Sequence, residues 1–304
     1  MRASWVDIHP NATWNKNGQT AIERNSILTL PHGLFVAEDQ TVYVVDQNNN
    51  RIVAWKDGDT RWQVVAGGNG EGDDDNQLDR PTDVIVDKKT DSLLICDYWN
   101  RRVVRWPRRY GTRGETILSG ISCYGLTMDE EGSLYVSDVV EHEVRRYRRG
   151  DSLGVVVAGG NEDGRDLNQL SGPRYLFVDR EHSVFVSDYN NNRVMKWAVG
   201  ANEGIVVAGG RGEGKSLSQL SNPNGVLVDQ LGTVYVADSE NNRVVRWPQG
   251  AQQGTVVVGG NGQGAKSNQL SVPKGLSFDR FGNLYVTEFG INRMVKYTLE
   301  MSSN

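Results

Sequence analysis

The chain has 304 residues, 35 of them glycine and only 8 proline, with 38% apolar residues and a formal net charge of −5 at pH 7. That balance excludes disordered and collagen-like chains, and the negative charge excludes nucleic-acid binding by the whole surface while leaving room for a local basic patch. No stretch is long and apolar enough to span a membrane, the opening MRASWVDIHP reads as no signal peptide, and Cys96 and Cys123 alone make neither a disulfide framework nor a four-thiolate zinc site.

From the N-terminus, the segment ATWNKNGQTAIERNSILTL leads to Pro31, where a repeat begins. PHGLFV, TVYVVD and RIVAW are short runs of β-branched and aromatic residues bounded by Gly, Asn and Asp, the pattern of strands, and a fourth run, QVVAGG, follows. The series restarts at Pro81, Cys123, Pro173, Pro223 and Pro273, at intervals of 50 residues except for the 42 between Pro81 and Cys123, where most of the GGNGxGxxxNQL connector is missing. No segment carries a sustained helical period. Four strands cannot cover their own two faces, so successive sheets must stack radially. The expectation is an all-β, six-bladed β-propeller of four-stranded antiparallel blades, a single domain over residues 1–304. The last repeat stops at NRMVKYTLE without a fourth strand, and the N-terminal segment aligns with TVVVGGNGQGAKSNQLSV before Pro273. A strand near residues 12–15 is therefore expected to complete blade 6, which closes the ring and removes two exposed edges.

The recurring pieces QLxxPxGLxVD, GxLYVxD and xNNRVxxW resemble the NHL repeat family, in six copies over nearly the whole chain. The acidic residue ending each second strand is Asp46, Asp97, Asp138, Asp188, Asp238 or Glu288. Five residues later come Arg51, Arg102, Arg193, Arg243 and Arg293, with Glu143 breaking the pattern in blade 3. Across a tight hairpin this spacing lets carboxylate and guanidinium meet. Blades that cannot all be active share the pair, so it reads as a structural clasp. The closing aromatics Trp55, Trp106, Tyr147, Trp197, Trp247 and Tyr297 read as packing between blades.

Function is sought where the shared frame varies. The position after the marker residue reads His32, Thr82, Tyr124, Arg174, Asn224 and Lys274. With the following strand innermost, as in the propellers this family resembles, these six side chains ring one channel mouth. Arg174, Lys274 and a protonated His32, with Tyr124 and Asn224 as hydrogen-bond partners, suit an anion or polar small molecule. The piece LPHGLFV also looks like the zinc-histidine motif of the peptidylglycine-amidating lyases, six-bladed propellers that hold a channel zinc through histidines of several blades. Only His32 fits that motif, and Arg174 and Lys274 would repel the metal, so no metal or other cofactor is expected. Two further propeller groups offer comparisons: gluconolactonase-like enzymes bind a divalent cation through carboxylates and Asn, and strictosidine synthase-like enzymes use a pocket glutamate. Glu288 is the one glutamate at an otherwise Asp position, but Arg293 still follows it. There is no GxSxG elbow, and the glycine-rich connectors lead into strands rather than helices, which makes them turns and not phosphate cradles.

Blades 2 and 3 concentrate arginine: Arg101, Arg102, Arg105, Arg108, Arg109 and Arg113, then Arg145, Arg146, Arg148 and Arg149. On one rim they would form a patch for RNA, sulfated glycans or an acidic protein, or a charged edge that resists aggregation. The expected function is a non-enzymatic recognition or scaffold propeller that binds a partner protein, polyanion or small polar ligand. A lyase- or hydrolase-type enzyme with a channel site and an RNA-binding NHL module are the alternatives. A monomer without membrane contact is expected, secreted or cytoplasmic, with the Asn11-Ala12-Thr13 sequon pointing to secretion.

Overall fold

The computed structural model describes residues 8–20, 28–56, 59–109 and 111–300. Blades 1 to 5 are each four antiparallel strands paired in chain order. Blade 5 is representative, with strands Pro223–Val228, Val234–Asp238, Arg243–Trp247 and Thr255–Gly259. The first strands of successive blades pack on one another around the ring and line the central channel. Burial follows from this position. The first strand of blade 5 is buried along its length, whereas the fourth strands of blades 3 and 4 expose Val155 and Ile205.

Crowding at the channel selects glycine two residues after the marker. A Cβ at Gly225 would lie 2.6 Å from the Lys274 carbonyl oxygen, and one at Gly275 would lie 2.7 Å from that of His32, so only glycine lets neighbouring inner strands come this close. Blades 2 and 4 carry Asp83 and Tyr175 there instead. The Tyr175 side chain reaches past blade 3 to donate its hydroxyl to the Thr82 carbonyl at 3.2 Å.

Each letter of the NNR motif has a physical role. In blade 5, Arg243 Nε meets Asp238 at 2.7 Å and its other nitrogens donate to the carbonyls of Lys215, Ser216 and Gln219 in the incoming connector. Asn241 caps the same carboxylate at 2.9 Å. Asn242 adopts a left-handed conformation at φ 52°, which asparagine tolerates in tight turns, and its Oδ1 accepts the amide of Val272 at the start of blade 6. The carboxylate–arginine pair recurs at Asp46–Arg51, Asp97–Arg102, Asp188–Arg193 and Glu288–Arg293. It is therefore a clasp between hairpin and connector. Blade 3 is the exception for a reason visible at both ends: the connector entering it is the shortened one, so an arginine there would find no loop carbonyls to hold. Glu143 takes its place and pairs with Arg145. At the same junction a Cys96–Cys123 disulfide ties the second strand of blade 2 to the first strand of blade 3, with Cα atoms 5.3 Å apart.

The N-terminus closes the ring, with one correction to the expected strand. Gln19–Thr20 pairs with Arg293–Tyr297 as the fourth strand of blade 6. Residues 12–15 do not; Thr13–Trp14 pairs instead with Leu299–Glu300 in a separate two-stranded sheet. The cause is Trp14, whose indole lies buried between blades 5 and 6, where a large ring removes far more apolar surface from water than it would on an outer edge. Among the described residues no helix is long and apolar enough to cross a membrane.

Candidate functional site

The inner strands bring five of the six variable side chains to one end of the channel. Arg174 is the centre of the group. Its guanidinium donates to Asn224 Oδ1 at 2.9 Å and lies over the rings of Tyr189 and Tyr124, at 3.2 and 4.8 Å from their centroids. Tyr124 in turn places its hydroxyl 3.4 Å from His32 Nδ1. His32 meets the Phe289 ring edge-on, and the Lys274 ammonium lies 5.4 Å from the centre of that same ring. Thr82 is the member that does not converge: its hydroxyl donates to the Cys123 carbonyl of the next blade. Asn224, wholly buried, positions Arg174 while its amide donates to Ser239 and to the Asn222 carbonyl.

The electrostatics of this group are lopsided. Among the described residues neither Arg174 nor Lys274 forms an ion pair with a carboxylate, although Lys274 is 7% exposed. Burial first, then the Arg174 charge, pulls the Lys274 ammonium down to about 7, with exposed Glu240 acting the other way. Burial, together with Lys274 and Arg174, also holds His32 well below the usual imidazole value. The protonated His32 expected from the sequence is thus corrected to a neutral imidazole. Burial raises the Tyr124 hydroxyl, which stays a proton donor. The result is a positively charged, aromatic-walled mouth in which neither Arg174 nor Lys274 has a carboxylate partner among the described residues, with the Tyr175–Thr82 hydrogen bond beside it. Burying an unpaired charge costs several kcal/mol per ion in proteins, and the ease with which the Lys274 ammonium gives up its proton reflects that cost.

Sequence reasoning missed Tyr189 and Phe289. They directly follow the acidic residue of the second strand, a position that reads Gln47, Tyr98, Val139, Tyr189, Ser239 and Phe289. It varies as freely as the position after the marker, and the same criterion applied once more finds it.

The arginine-rich segments behave differently. Arg108 bridges Asp39 at 2.7 Å and Asp91 at 3.3 Å and lies over the Tyr43 ring in the groove between blades 1 and 2. Arg105 pairs with Glu115, Arg109 with Asp91, Arg113 with Asp75 and Arg149 with Asp87. Arg146 lies beside Tyr135, whose hydroxyl donates to Asp129, Arg101 donates to the Gly120 carbonyl, and Arg148 stays exposed. Tyr110, adjacent to this run, lies outside the described residues. The expected rim is therefore largely neutralised, by carboxylates supplied from blades 1, 2 and 3 and from the connector between blades 1 and 2. Among the described residues no three His, Cys, Asp or Glu side chains gather where they could hold a metal ion.

With the geometry in hand, comparison with known proteins is informative about fold and less so about chemistry. The model of the NHL repeat matches residues 220–247. A comparison with curated protein sequences finds no significant match. Similar solved structures include a gluconolactonase of Xanthomonas campestris at 15% identity and TM-score 0.68, covering 98% of this chain and 97% of that one. Virginiamycin B lyase of Staphylococcus aureus is 10% identical with TM-score 0.60, covering 95% of this chain and 100% of the lyase. An auxiliary nutrient binding protein of Bacteroides ovatus is 10% identical with TM-score 0.70, covering 98% of this chain and 76% of that one. At such identities the likeness is one of fold, and one fold hosts many chemistries. The matched repeat, its recurrence around the ring and the six antiparallel sheets identify the chain as an NHL-repeat six-bladed β-propeller.

Proposed function

We propose that this protein is a recognition propeller that binds a small anionic ligand, with an apolar or aromatic body, at the channel mouth. The carrying observation is the pair of cations, Arg174 and Lys274, set among rings without a carboxylate partner among the described residues. Arg174 presents a planar fork suited to a carboxylate or phosphate, its far face already held by Tyr189 and its Nη1 by Asn224. Lys274 supplies a second charge, and the half-buried faces of Tyr189 and Phe289 receive an apolar body. The nutrient-binding likeness fits this reading in kind, although at 10% identity it carries no ligand with it.

The test is a thermal-shift panel of small carboxylates, phosphate esters and sulfated sugars near pH 6.5. A ligand that binds only the native state raises Tm with concentration. At least one anion should do so while uncharged analogues do not. A panel in which no anion raises Tm at millimolar concentration overturns the proposal.

A further inference from the structure

The grooves between blades differ in what fills them, and one filled groove acts as a template for an empty one. Between blades 5 and 6 lies the chain's own N-terminal segment. Its Trp14 ring stacks on Phe278, meets Tyr235 edge-on at 5.8 Å between centroids, and donates from Nε1 to the Gly282 carbonyl at 2.9 Å. Two residues earlier, the Ala12 carbonyl accepts from Arg246; two residues later, Lys16 donates to the Val257 carbonyl.

Fifty residues back in the repeat, every one of these groove positions reappears between blades 4 and 5. Phe185 stands for Tyr235 and Val228 for Phe278, a smaller side chain that leaves more room. Gly232, Lys196 and Val207 stand for Gly282, Arg246 and Val257. All five line a cavity of about 820 Å³. Two other grooves are obstructed. Arg108 lies over Tyr43 between blades 1 and 2. Between blades 3 and 4, His182 occupies the position of Gly232 and approaches Asp129 at 3.3 Å, leaving a smaller cavity of about 440 Å³.

We infer that the groove between blades 4 and 5 is a docking site for an extended peptide of a partner protein that presents a tryptophan, with a free main-chain carbonyl two residues before it and a basic residue two residues after it. The ring enters between Phe185 and Val228, and Lys196, which rests over Phe185 and pairs with Asp179 at 3.2 Å, turns to the carbonyl. The Val207 carbonyl receives the basic side chain. Asp179, Glu181 and Glu203 outnumber Arg180 and Lys196 in the lining, which favours that positive charge. Strand pairing of the kind made by Thr13–Trp14 is absent from this groove, because Pro248–Ala251 closes on itself through the Ala251 amide and the Pro248 carbonyl. The aromatic anchor therefore carries the affinity, as a single ring in a pocket commonly does.

The probe is a labelled synthetic peptide of residues 8–20 of this chain, titrated into the full-length protein by fluorescence anisotropy. Micromolar binding is expected, weakened about tenfold or more by Trp14→Ala in the peptide and by Gly232→His in the protein. The fold should accept the latter substitution: His182 holds φ 58° at the equivalent position against 75° at Gly232, and an added Cβ meets only the Gln249 side-chain tip at 3.3 Å. Lys196→Met is the second variant and should also weaken binding, whereas Arg174→Ala should not. Absence of binding at about 1 mM, where affinity falls to roughly 4 kcal/mol, overturns the inference. So does binding that Gly232→His and Lys196→Met leave intact, which would place the peptide in the groove between blades 5 and 6. A protein dimer that Gly232→His dissolves in sedimentation, with no peptide binding, would make a second copy the occupant and also overturn it.

Discussion

The channel mouth and the arginine-rich segments of blades 2 and 3 both carry positive charge, and they differ in what the fold does with it. Arg108 is bracketed by Asp39 and Asp91, and most of its neighbours have their own carboxylates. Lys274 is buried and Arg174 half-buried, among rings and an amide, with no carboxylate partner among the described residues. Local density of a residue type therefore says little about function until its partners are placed. A few poorly compensated charges inside a fold are more informative than many compensated ones on its surface.

The contrast can be broken by mutation. Replacing both Arg174 by alanine and Lys274 by methionine should reduce affinity for the mouth anion by about 100-fold or more, as expected for two charge-assisted hydrogen bonds. Chemical denaturation should show Lys274→Met unchanged or more stable, because a buried cation has gone, and Arg174→Ala less stable by about 1 kcal/mol, because buried Asn224 Oδ1 loses its donor; a clear loss of stability in Lys274→Met would mean that this cation is structural.

A second effect is pH-dependent. Lys274 has an ordinary value of 10.5 when unfolded and about 7 when folded. Below about 7 it is charged in both states, and the native state bears the full cost of burying it. As pH rises from about 7 towards 10.5 the folded protein binds fewer protons than the unfolded one, so this residue makes stability increase across that window, by on the order of 5 kcal/mol. Denaturation curves at pH 6, 8 and 10 should show the rise in wild type and not in Lys274→Met.

Smaller effects belong to the arginine segments. Arg108→Ala should cost about 1 kcal/mol, since it loses two partly exposed ion pairs and its packing on Tyr43, and should leave anion affinity at the mouth untouched. Arg109→Glu with Arg113→Glu, both largely exposed, should change stability by less than about 0.5 kcal/mol and change binding at the mouth not at all. A steeply salt-dependent loss of heparin binding in that variant would instead restore these segments as a polyanion surface.

The ring was legible because its evidence is periodic: one copy of QLSNPNGVLVD means little, but its return at fixed intervals places every strand. The carboxylate–arginine clasp was legible for the same reason. What it holds was not, since the Lys215, Ser216 and Gln219 carbonyls are brought to Arg243 by connector geometry. The two breaks at blade 3, a missing connector and Glu143, become one feature only when that contact is seen. Cys96 and Cys123, 27 residues apart, gave no sign of pairing until blades 2 and 3 became neighbours. At the mouth, the position after the marker was found, yet Tyr189 and Phe289 come from a second variable position, and Tyr175 arrives where glycine was expected. Trp14 displaced the expected closing strand because a demand for burial outweighed an alignment of strand-like residues.

The most direct test of the unpaired-cation account is proton uptake. Calorimetric titration of the most stabilising anion at pH 8, repeated in two buffers of different ionisation enthalpy, reports the protons gained on binding. An anion that seats against Lys274 restores its charge, so the wild-type protein should take up close to one proton and Lys274→Met none. Binding without proton uptake in wild type, or equal uptake in both proteins, would contradict the account.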